Sequence, residues 1–361
     1  MADGKRAKQP AAISAERCVV LGIETSCDET SAAVVVDGHD VRSNVVSSQV
    51  HLHARFLGVV PEIAARAHVE QIGPIVEGAL AAAGVAYRDL SAIAVTEGPG
   101  LVGALLIGAT AAKTLATALR VPMVGVDHIE AHATSAALAG GIAPWPAVAL
   151  VVSGGHTSLY RVRDFLTVEL LGQTVDDAAG EAFDKVAALL EIGYPGGPLI
   201  DRLAPQGNPR AVRFPRPWIH ESHDDFSFSG LKTAVLYHVY GAGRKYGSVA
   251  HLSPPQIADV AASFQAALVD TLVAKTIAAA KREGVRDVVV GGGVAANSAL
   301  RRELAEACAA RGLRLHLTPA EYCTDNAAMI AALGYHRLAA GRAVGLDFEP
   351  RAGLRRPLRQ R

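Results

Sequence analysis

The fold is decided by residues 18–36, CVVLGIETSCDETSAAVVV, in which two apolar runs flank a short polar segment. Residues 18–23 and 31–36 are rich in β-branched side chains, and each run has the length of a buried strand. Residues 24–30 between them predict a turn, and Asp37-Gly38 predicts a hairpin into a third strand. The stretch therefore predicts a strand–turn–strand–strand unit at the start of the folded chain.

The same order of elements begins again after Pro146. Each half reads as three strands, a helix, a strand, a glycine turn, a helix, a strand and a helix, and the second half has a helical insertion over about 176–250. This duplication predicts an α/β fold of two lobes that face each other across a cleft. Three pairs of turns are equivalent: 24–30 with 153–156, 97–100 with 291–294, and 127–132 with 321–326. Ligands of open α/β sheets bind where strands end and helices begin, so the cleft is the predicted site.

Length and composition limit the class of protein. The chain has 361 residues, 35 Lys+Arg against 35 Asp+Glu, and 50% hydrophobic but only 5% aromatic residues. These values fit two folded lobes and exclude a disordered or coiled-coil protein. Zero net charge argues against a surface coated in basic residues but leaves room for a local basic patch. Four cysteines without a C-x-x-C pair support neither a disulfide framework nor a zinc ribbon.

The chain is divided into four parts by these patterns. We predict a disordered leader over 1–16, a first lobe over 17–127 plus about 327–345, a second lobe over 128–326, and a basic tail over 346–361. No hydrophobic region follows the polar leader, so it is not a signal peptide. We expect no apolar stretch that approaches the roughly 18–20 residues of a membrane span, no membrane partner and a cytoplasmic location.

The turn over residues 24–30 is dense in acids and hydroxyls. Such a turn can wrap a phosphate with backbone N–H groups, and its acids can hold a divalent ion or provide a general base. We assign the role of proton acceptor to Glu29, with Asp28 as the alternative. The equivalent turn Ser153-Gly154-Gly155 and the run 291–297, GGGVAAN, are glycine turns that allow close approach of an anion or a nucleotide.

A metal site is predicted from His128, His132 and Asp325. Histidines at i and i+4 share one helix face, and Asp325 belongs to the equivalent turn of the other half. Two histidines with one carboxylate suit a ferrous or zinc ion with open positions. In the zincin motif H-E-x-x-H the glutamate is the second residue, whereas residues 128–132 read HIEAH and Glu130 is the third. A zincin-like peptidase is therefore disfavoured. Acids at 177, 181 and 184 are spaced as one helical face that could accept hydrogen bonds from a ligand.

Eight motifs, taken in chain order, resemble those of one family. They are GIETSCDET at 22–30, TEGPGLVG at 96–103, VVSGGHT at 151–157, DAAGEAFDK at 177–185, YPGGP at 194–198, FSGLK at 228–232, GGVAAN at 292–297 and TDN at 324–326. Over about residues 18–345 the chain resembles the TsaD/Gcp family, the tRNA N6-adenosine threonylcarbamoyltransferases, in its bacterial form. The resemblance implies two actin-like, sugar-kinase-like ATPase lobes of the RNase H type.

The resemblance also implies a reaction, a cofactor and partners. The threonylcarbamoyl group of threonylcarbamoyl-adenylate passes to the N6 amine of adenosine 37 in tRNAs that read codons beginning with A, and AMP is released. One divalent metal ion per chain, Fe(2+) with Zn(2+) as the alternative, is held by His128, His132 and Asp325. The positions that match substrate contacts are Val151, Val152, Ser153, Gly154, Gly155, Asp184, Gly197, Asp201 and Asn297. The expected partners are tRNA, a TsaB paralogue and a TsaE ATPase.

One departure from the family pattern is visible. Residues 127–132 read DHIEAH, where bacterial relatives usually read H-H-x-E-G-H, so Asp127 and Ala131 alter the surroundings of the ligand histidines. Three other functions remain open: a small-molecule kinase of the same fold, a metal-dependent peptidase, and a nucleotide-gated scaffold without chemistry of its own. We expect surface arginines of the segment 202–216 and of the tail to hold the tRNA backbone.

Overall fold

The structure is a computed structural model, and it describes residues 17–139, 143–241, 243 and 247–353. The predicted leader and residues 354–361 of the predicted tail lie outside the described residues. Within that part of the chain, helices pack against two five-stranded sheets.

The first sheet contains strands β1 (Val19–Glu24), β2 (Glu29–Val36), β3 (Asp40–Ser48), β4 (Ala92–Gly98) and β5 (Met123–Asp127). Their order is β3-β2-β1-β4-β5. The strands β1, β2 and β3 form an antiparallel meander, whereas β4 and β5 run parallel to β1. The carboxyl ends of β1, β4 and β5 therefore meet at one edge of this sheet.

The second sheet contains strands β6 (Ala147–Val152), β7 (Thr157–Asp164), β8 (Thr167–Gln173), β9 (Asp287–Gly291) and β10 (Arg314–Leu317). Their order, β10-β9-β6-β7-β8, and their directions repeat the pattern of the first sheet. The predicted α/β duplication is confirmed by this topology.

The helices are α1 (Val50–His53), α2 (Pro61–Ala83), α3 (Val102–Leu119), α4 (His128–Thr134), α5 (Ala179–Leu189), α6 (Gly196–Leu203), α7 (Ser229–Tyr240), α8 (Pro254–Glu283), α9 (Ser298–Ala309), α10 (Ala320–Cys323) and α11 (Ala327–Ala339). Local sequence explains the ends of the two longest ones. Helix α2 begins with Pro61 and α8 with Pro254, where the missing N–H costs nothing. Both helices end at a glycine in the left-handed conformation, Gly84 and Gly284.

Strand β1 is buried on both faces. Its alternate residues enter two cores: Val20 packs with residues of α11, and Leu21 packs with residues of α2 and α3. Helix α11 approaches the sheet closely because glycines face it: a Cβ at Gly22 would lie 2.3 Å from the carbonyl oxygen of Ala327. The C-terminal helix thus returns to the first sheet, and it brings the loop before α11 to the end of β1.

Two helices, α3 and α8, are long and apolar enough to cross a bilayer when length and composition alone are considered. The expectation that no stretch reaches this length was therefore wrong. Helix α8 is mostly buried inside the second lobe, where its apolar residues form part of the core. Helix α3 packs against α2 and β4 and leaves Val102 and Leu106 exposed.

Candidate metal centre and substrate cleft

The helix with the paired histidines begins at the edge where the first sheet ends. Asp127 is the last residue of β5, and its carboxylate accepts hydrogen bonds from the N–H groups of Ile129 (2.8 Å) and Glu130 (3.0 Å). This cap fixes the direction of α4, so His128 and His132 lie one turn apart on the same face. Asp127, which departs from the family pattern, therefore influences the histidines by capping the helix that contains them.

Asp325 reaches the two histidines from the loop before α11. Its Oδ1 lies 3.0 Å from His132 Nε2 and 3.4 Å from His128 Nε2. The ligand atoms of the three residues all lie within 4.8 Å of one another, and both imidazoles are buried. The structure thus brings together residues that are 193 positions apart in the sequence.

A fourth residue, Glu24, holds the first histidine in place. Glu24 Oε2 lies 2.9 Å from His128 Nδ1 and accepts a hydrogen bond from Thr96 Oγ1 at 2.6 Å. The N–H of Ser26 donates to the other carboxylate oxygen. A carboxylate on Nδ1 leaves Nε2 turned toward Asp325, which is the arrangement of a carboxylate–histidine–metal unit. The donor set therefore fits a divalent ion bound by two Nε2 atoms and a carboxylate oxygen.

The charges of this cluster are strongly coupled. Burial opposes the charged form of His128, but Asp325 and Glu24 outweigh it and raise the pKa of His128 well above its ordinary value. Burial likewise opposes ionisation of Asp325, yet His128 and His132 hold the pKa of Asp325 well below its usual range. Burial lowers the pKa of His132. Two carboxylates thus face the histidines in ionised form, and the site favours a positive charge between them.

Glu29 lies at the start of β2 and is partly buried. Burial, together with the charges of Asp325 and Asp28, raises the pKa of Glu29 to about 9. Glu29 is hydrogen-bonded to Asp28 and accepts a hydrogen bond from Ser48 Oγ at 3.1 Å. The neighbouring negative charges therefore favour the protonated form of Glu29.

Cys27, in the same turn, is not an activated thiol. Burial and the neighbouring acids Asp28 and Asp325 raise the pKa of its thiol. The thiol therefore stays protonated, which disfavours a covalent intermediate on this residue.

The predicted turn of the second lobe follows β6 and contains two exposed glycines. The side chains of Val151 and Val152 are fully buried on β6, so only their backbone can reach a ligand. Gly154 and Gly155 are exposed, and a Cβ on either glycine would meet nothing within 4 Å. The carbonyls of Ser153 and Gly154 accept hydrogen bonds from the first turn of α5, which holds this segment in place.

Three of the predicted turns meet around the glycines after β9. A Cβ at Gly292 would lie 2.4 Å from the carbonyl oxygen of Val152, and one at Gly291 would lie 2.6 Å from that of His132. Gly292 has φ +92°, which favours glycine. The ring of His156 lies 6.2 Å from that of His128, centroid to centroid. The glycine turns and the histidine pair therefore form one continuous site.

The side chains of the remaining candidate residues, Asp184, Asp201 and Asn297, each accept a hydrogen bond from a backbone N–H group near this site. Asp184 Oδ1 accepts a hydrogen bond from Gly196 N at 2.7 Å and orients the turn that contains Gly197. Asp201 accepts two hydrogen bonds from Ser298, at 2.8 and 3.0 Å, and joins α6 to α9. The Asn297 side chain caps α9 through Leu300 N (2.9 Å) and donates to Gln265 (2.9 Å).

The predicted helical face of acids at 177, 181 and 184 is only partly helical in the structure. Helix α5 begins at Ala179, after Asp177. Asp177 and Glu181 both pair with Lys185, at 2.7 and 2.8 Å. These two acids form ordinary ion pairs, and the helical spacing misled the sequence reasoning because it continued across the start of the helix.

Sequence reasoning missed a partly buried ion-pair network behind α4. Arg337 of α11 donates to Glu130 at 2.7 Å, to Glu97 at 2.8 Å and to the carbonyl of Gly125 at 2.7 Å. Glu130 is thus directed to Arg337, which removes the acid that a zincin-like peptidase would need at its metal.

A sequence profile described as "TsaD: tRNA N6-adenosine threonylcarbamoyltransferase" matches residues 40–332. The chain belongs to the TsaD family. A relative from Moorella thermoacetica is 54% identical over 318 residues, which cover 88% of this chain and 91% of the relative. One from Geobacter sulfurreducens is 54% identical over 333 residues, with coverage of 92% and 96%. Both carry the name tRNA N6-adenosine threonylcarbamoyltransferase, so this TsaD-family chain is a tRNA-modifying acyltransferase.

Solved structures outside the TsaD family share its fold. HypF from T. kodakarensis has a TM-score of 0.59 at 16% identity, covering 92% of this chain and 49% of that one. Component A of the (R)-2-hydroxyglutaryl-CoA dehydratase from Acidaminococcus fermentans has a TM-score of 0.51 at 16% identity, with coverage of 89% and 99%. At this identity the likeness shows the fold alone, namely two actin-like lobes.

Proposed function

We propose that this chain transfers the threonylcarbamoyl group of threonylcarbamoyl-adenylate to the N6 amine of adenosine 37 in tRNAs that read codons beginning with A, with release of AMP. The supporting observation is the buried cluster of His128, His132 and Asp325 beside the open Gly154–Gly155 turn. The ring of His156, the residue after this turn, lies 6.2 Å from that of His128, which supports a cation close to backbone amides that could meet an acyl-phosphate.

The three residues of this cluster would hold one divalent ion, which we propose to be Fe(2+), with Zn(2+) as the alternative. When bound, the ion would offset negative charge on the acyl donor. The protein would supply position: the glycine turn for the phosphate, and the segments held by Asp184, Asp201 and Asn297 for the nucleotide. Because an adenylate is a good leaving group, the reaction needs no enzyme nucleophile.

We assign removal of the amine proton to the Asp28–Glu29 pair. A raised pKa makes the ionised form of Glu29 a strong proton acceptor, and Asp28 is hydrogen-bonded to it. Glu29 remains the first candidate, because Ser48 fixes its carboxyl from the other side.

The tRNA would be bound by exposed arginines near the nucleotide turn. Arg202, Arg210 and Arg213 are exposed on a segment that begins beside Asp201 and crosses α8. This segment is pinned to α8, for example by a 2.7 Å hydrogen bond from the N–H of Asn208 to the carboxylate of Asp259. A fixed row of positive charges suits a phosphate backbone.

Replacing all three of these arginines by alanine should weaken tRNA binding and flatten its salt dependence, because about three phosphate contacts are lost. The measurement is tRNA affinity at a series of salt concentrations. Arg88→Ala, an exposed arginine of the first lobe, is the matched control. An unchanged salt slope in the triple variant would place the tRNA on another surface.

We further propose a cytoplasmic complex with the TsaB paralogue and the TsaE ATPase. The decisive assay mixes this chain and both partners with tRNA, ATP and synthesised threonylcarbamoyl-adenylate, and measures modified adenosine together with AMP. Product that depends on this chain and on His128 supports the transferase. Phosphorylation of a small molecule without nucleoside modification would support the kinase alternative instead.

A further inference from the structure

A buried chain of polar side chains connects helix α2 to the turn over residues 24–30, and the mechanism above does not use it. His53 and His68 are fully buried, and Gln49 is 2% exposed. Buried polar groups are costly unless their hydrogen bonds are satisfied, so their arrangement needs an explanation.

In this series of polar side chains, the donors all point from His53 toward His68. The N–H of Val60 donates to His53 Nδ1 (3.2 Å), so His53 carries its hydrogen on Nε2 and donates to Gln49 Oε1 (3.3 Å). The Gln49 amide nitrogen then donates to the carbonyl of Ala64 at 3.5 Å, and it lies 3.5 Å from His68 Nδ1.

This series of hydrogen bonds ends at the turn that contains Asp28 and Glu29. His68 Nε2 lies 3.0 Å from the carbonyl oxygen of Cys27, which only accepts, so Nε2 carries the hydrogen. The hydroxyl of Thr30 then donates to Nδ1 at 2.8 Å. The His68 imidazole is thus hydrogen-bonded to Cys27, the residue before Asp28, and to Thr30, the residue after Glu29. The N–H of Gln49 also donates to the carbonyl of Asp28 at 3.0 Å.

We propose that His68 is a positioning residue, which fixes the backbone on both sides of the Asp28–Glu29 pair and thereby sets the orientation of the proton acceptor. This inference rests on the proposed function of that pair. Only the neutral imidazole can accept from Thr30 and donate to Cys27 at once. Burial supports this form, because it lowers the pKa of His68.

The test compares three replacements of His68 in the complete complex. Gln places an amide near the Nε2 position and can keep the bond to the Cys27 carbonyl. Asn places its amide near the Nδ1 position and can keep only the Thr30 bond, and Leu keeps neither. We measure kcat and KM with threonylcarbamoyl-adenylate and tRNA, bound metal per chain, and the melting temperature. His51→Leu, at an exposed histidine of α1, is the matched control.

We expect His68→Asn and His68→Leu to lower kcat by about tenfold to a hundredfold, because small misplacements of catalytic groups have effects of this size. Their KM for tRNA and their metal content should stay near the wild-type values, and His68→Gln should stay within about threefold in kcat. An unchanged kcat in His68→Asn would overturn the inference. Equal losses of kcat in His68→Gln and His68→Leu would also overturn it. A merely structural role of His68 predicts no difference in kcat between the Gln and Asn variants.

Glu29→Gln separates this inference from the proposed function. If Glu29→Gln and His68→Asn are both slow and their combination is no slower than the slower single variant, both act through the same group. A slow Glu29→Gln with a fully active His68→Asn overturns the role of His68 alone. A fully active Glu29→Gln overturns the acceptor assignment and, with it, the positioning of that acceptor.

Discussion

The two ring nitrogens of His128 face different carboxylates. Nε2 faces Asp325, while Nδ1 is held by Glu24, and Glu24 is itself held by Thr96 and Ser26. The affinity of the candidate metal centre should therefore depend on a residue that is not a ligand. His132 has no equivalent support, since among the described residues its Nδ1 has no hydrogen-bond partner.

Glu24→Gln is expected to weaken divalent-metal binding by about tenfold to a hundredfold, because an amide holds the imidazole less firmly than a carboxylate does. The measurement is a competition titration with a chelator of known affinity. Thr96→Val, which removes one hydrogen bond to Glu24 and keeps its charge, is the control and should have a smaller effect. Equal affinity in Glu24→Gln and the wild type would contradict the orienting role.

The Glu29 carboxyl should titrate near pH 9 in the metal-free protein, far above a free glutamate. The unfolded chain ionises at its ordinary value, so this group makes the folded state less stable as pH rises from about 4.5 toward about 9. Carbon-13 NMR of the side-chain carboxyl measures the value directly. Asp325→Asn removes a like charge and should lower the pKa of Glu29. An unchanged pKa in that variant would show that the charge of Asp325 does not act on Glu29.

At the residue scale, the i and i+4 spacing and the matching turns were enough to select the two histidines and the aspartate that the structure brings together. The role of Glu24 was not predicted, because its turn holds three acids and the sequence does not show which of them faces His128. Asn297 was predicted to contact ligand, which stays a prediction, and the structure shows that its side chain also caps α9. Capping and ligand binding favour the same residue types at the same place, so sequence alone does not separate them.

At the scale of elements, the boundaries that local chemistry controls were predictable. Pro61 and Gly84 bound α2 in the structure as the sequence indicates. The insertion after β8 was harder, because α5, α6 and α7 are separated by irregular segments that have few periodic residues. Which helix packs on which sheet depends on the tertiary fold, and the return of α11 to β1 is an example.

Arg337 joins two elements that do not follow one another in the sequence, α11 and α4. Arg337→Leu would remove the ion pairs of this arginine with Glu97 and Glu130, and we expect a loss of about 2 kcal/mol in the free energy of unfolding. Urea denaturation measures this value. Arg302→Leu breaks an exposed pair with Glu303 and should cost less than about 0.5 kcal/mol. Equal stability of the two variants would mean that the partly buried network of Arg337 contributes little.

For the whole molecule, the duplication was the most predictable property, because two equal orders of elements imply two equal sheets. The contact between the lobes was not predictable from either half. Phe165, in the turn between β7 and β8, stacks on His336 of α11 with ring centroids 3.7 Å apart. Trp145 packs edge-on against the same Phe165 at 5.6 Å. An aromatic contact therefore connects the second sheet to the helix that covers the first.

Acid should weaken this connection between the lobes. Burial, with a smaller contribution from His39, lowers the pKa of His336 to about 4. The unfolded chain takes up this proton near pH 6.5 and the folded chain only near 4, so the stability that the neutral ring provides is complete above 6.5 and is lost as pH falls toward 4. His336→Phe keeps the stack without a titrating group and should remove about 1–2 kcal/mol of the acid-induced loss, a value reduced for the partial exposure of the ring. The measurement is urea denaturation of both proteins at several pH values, and parallel curves would show that His336 does not titrate in this interval.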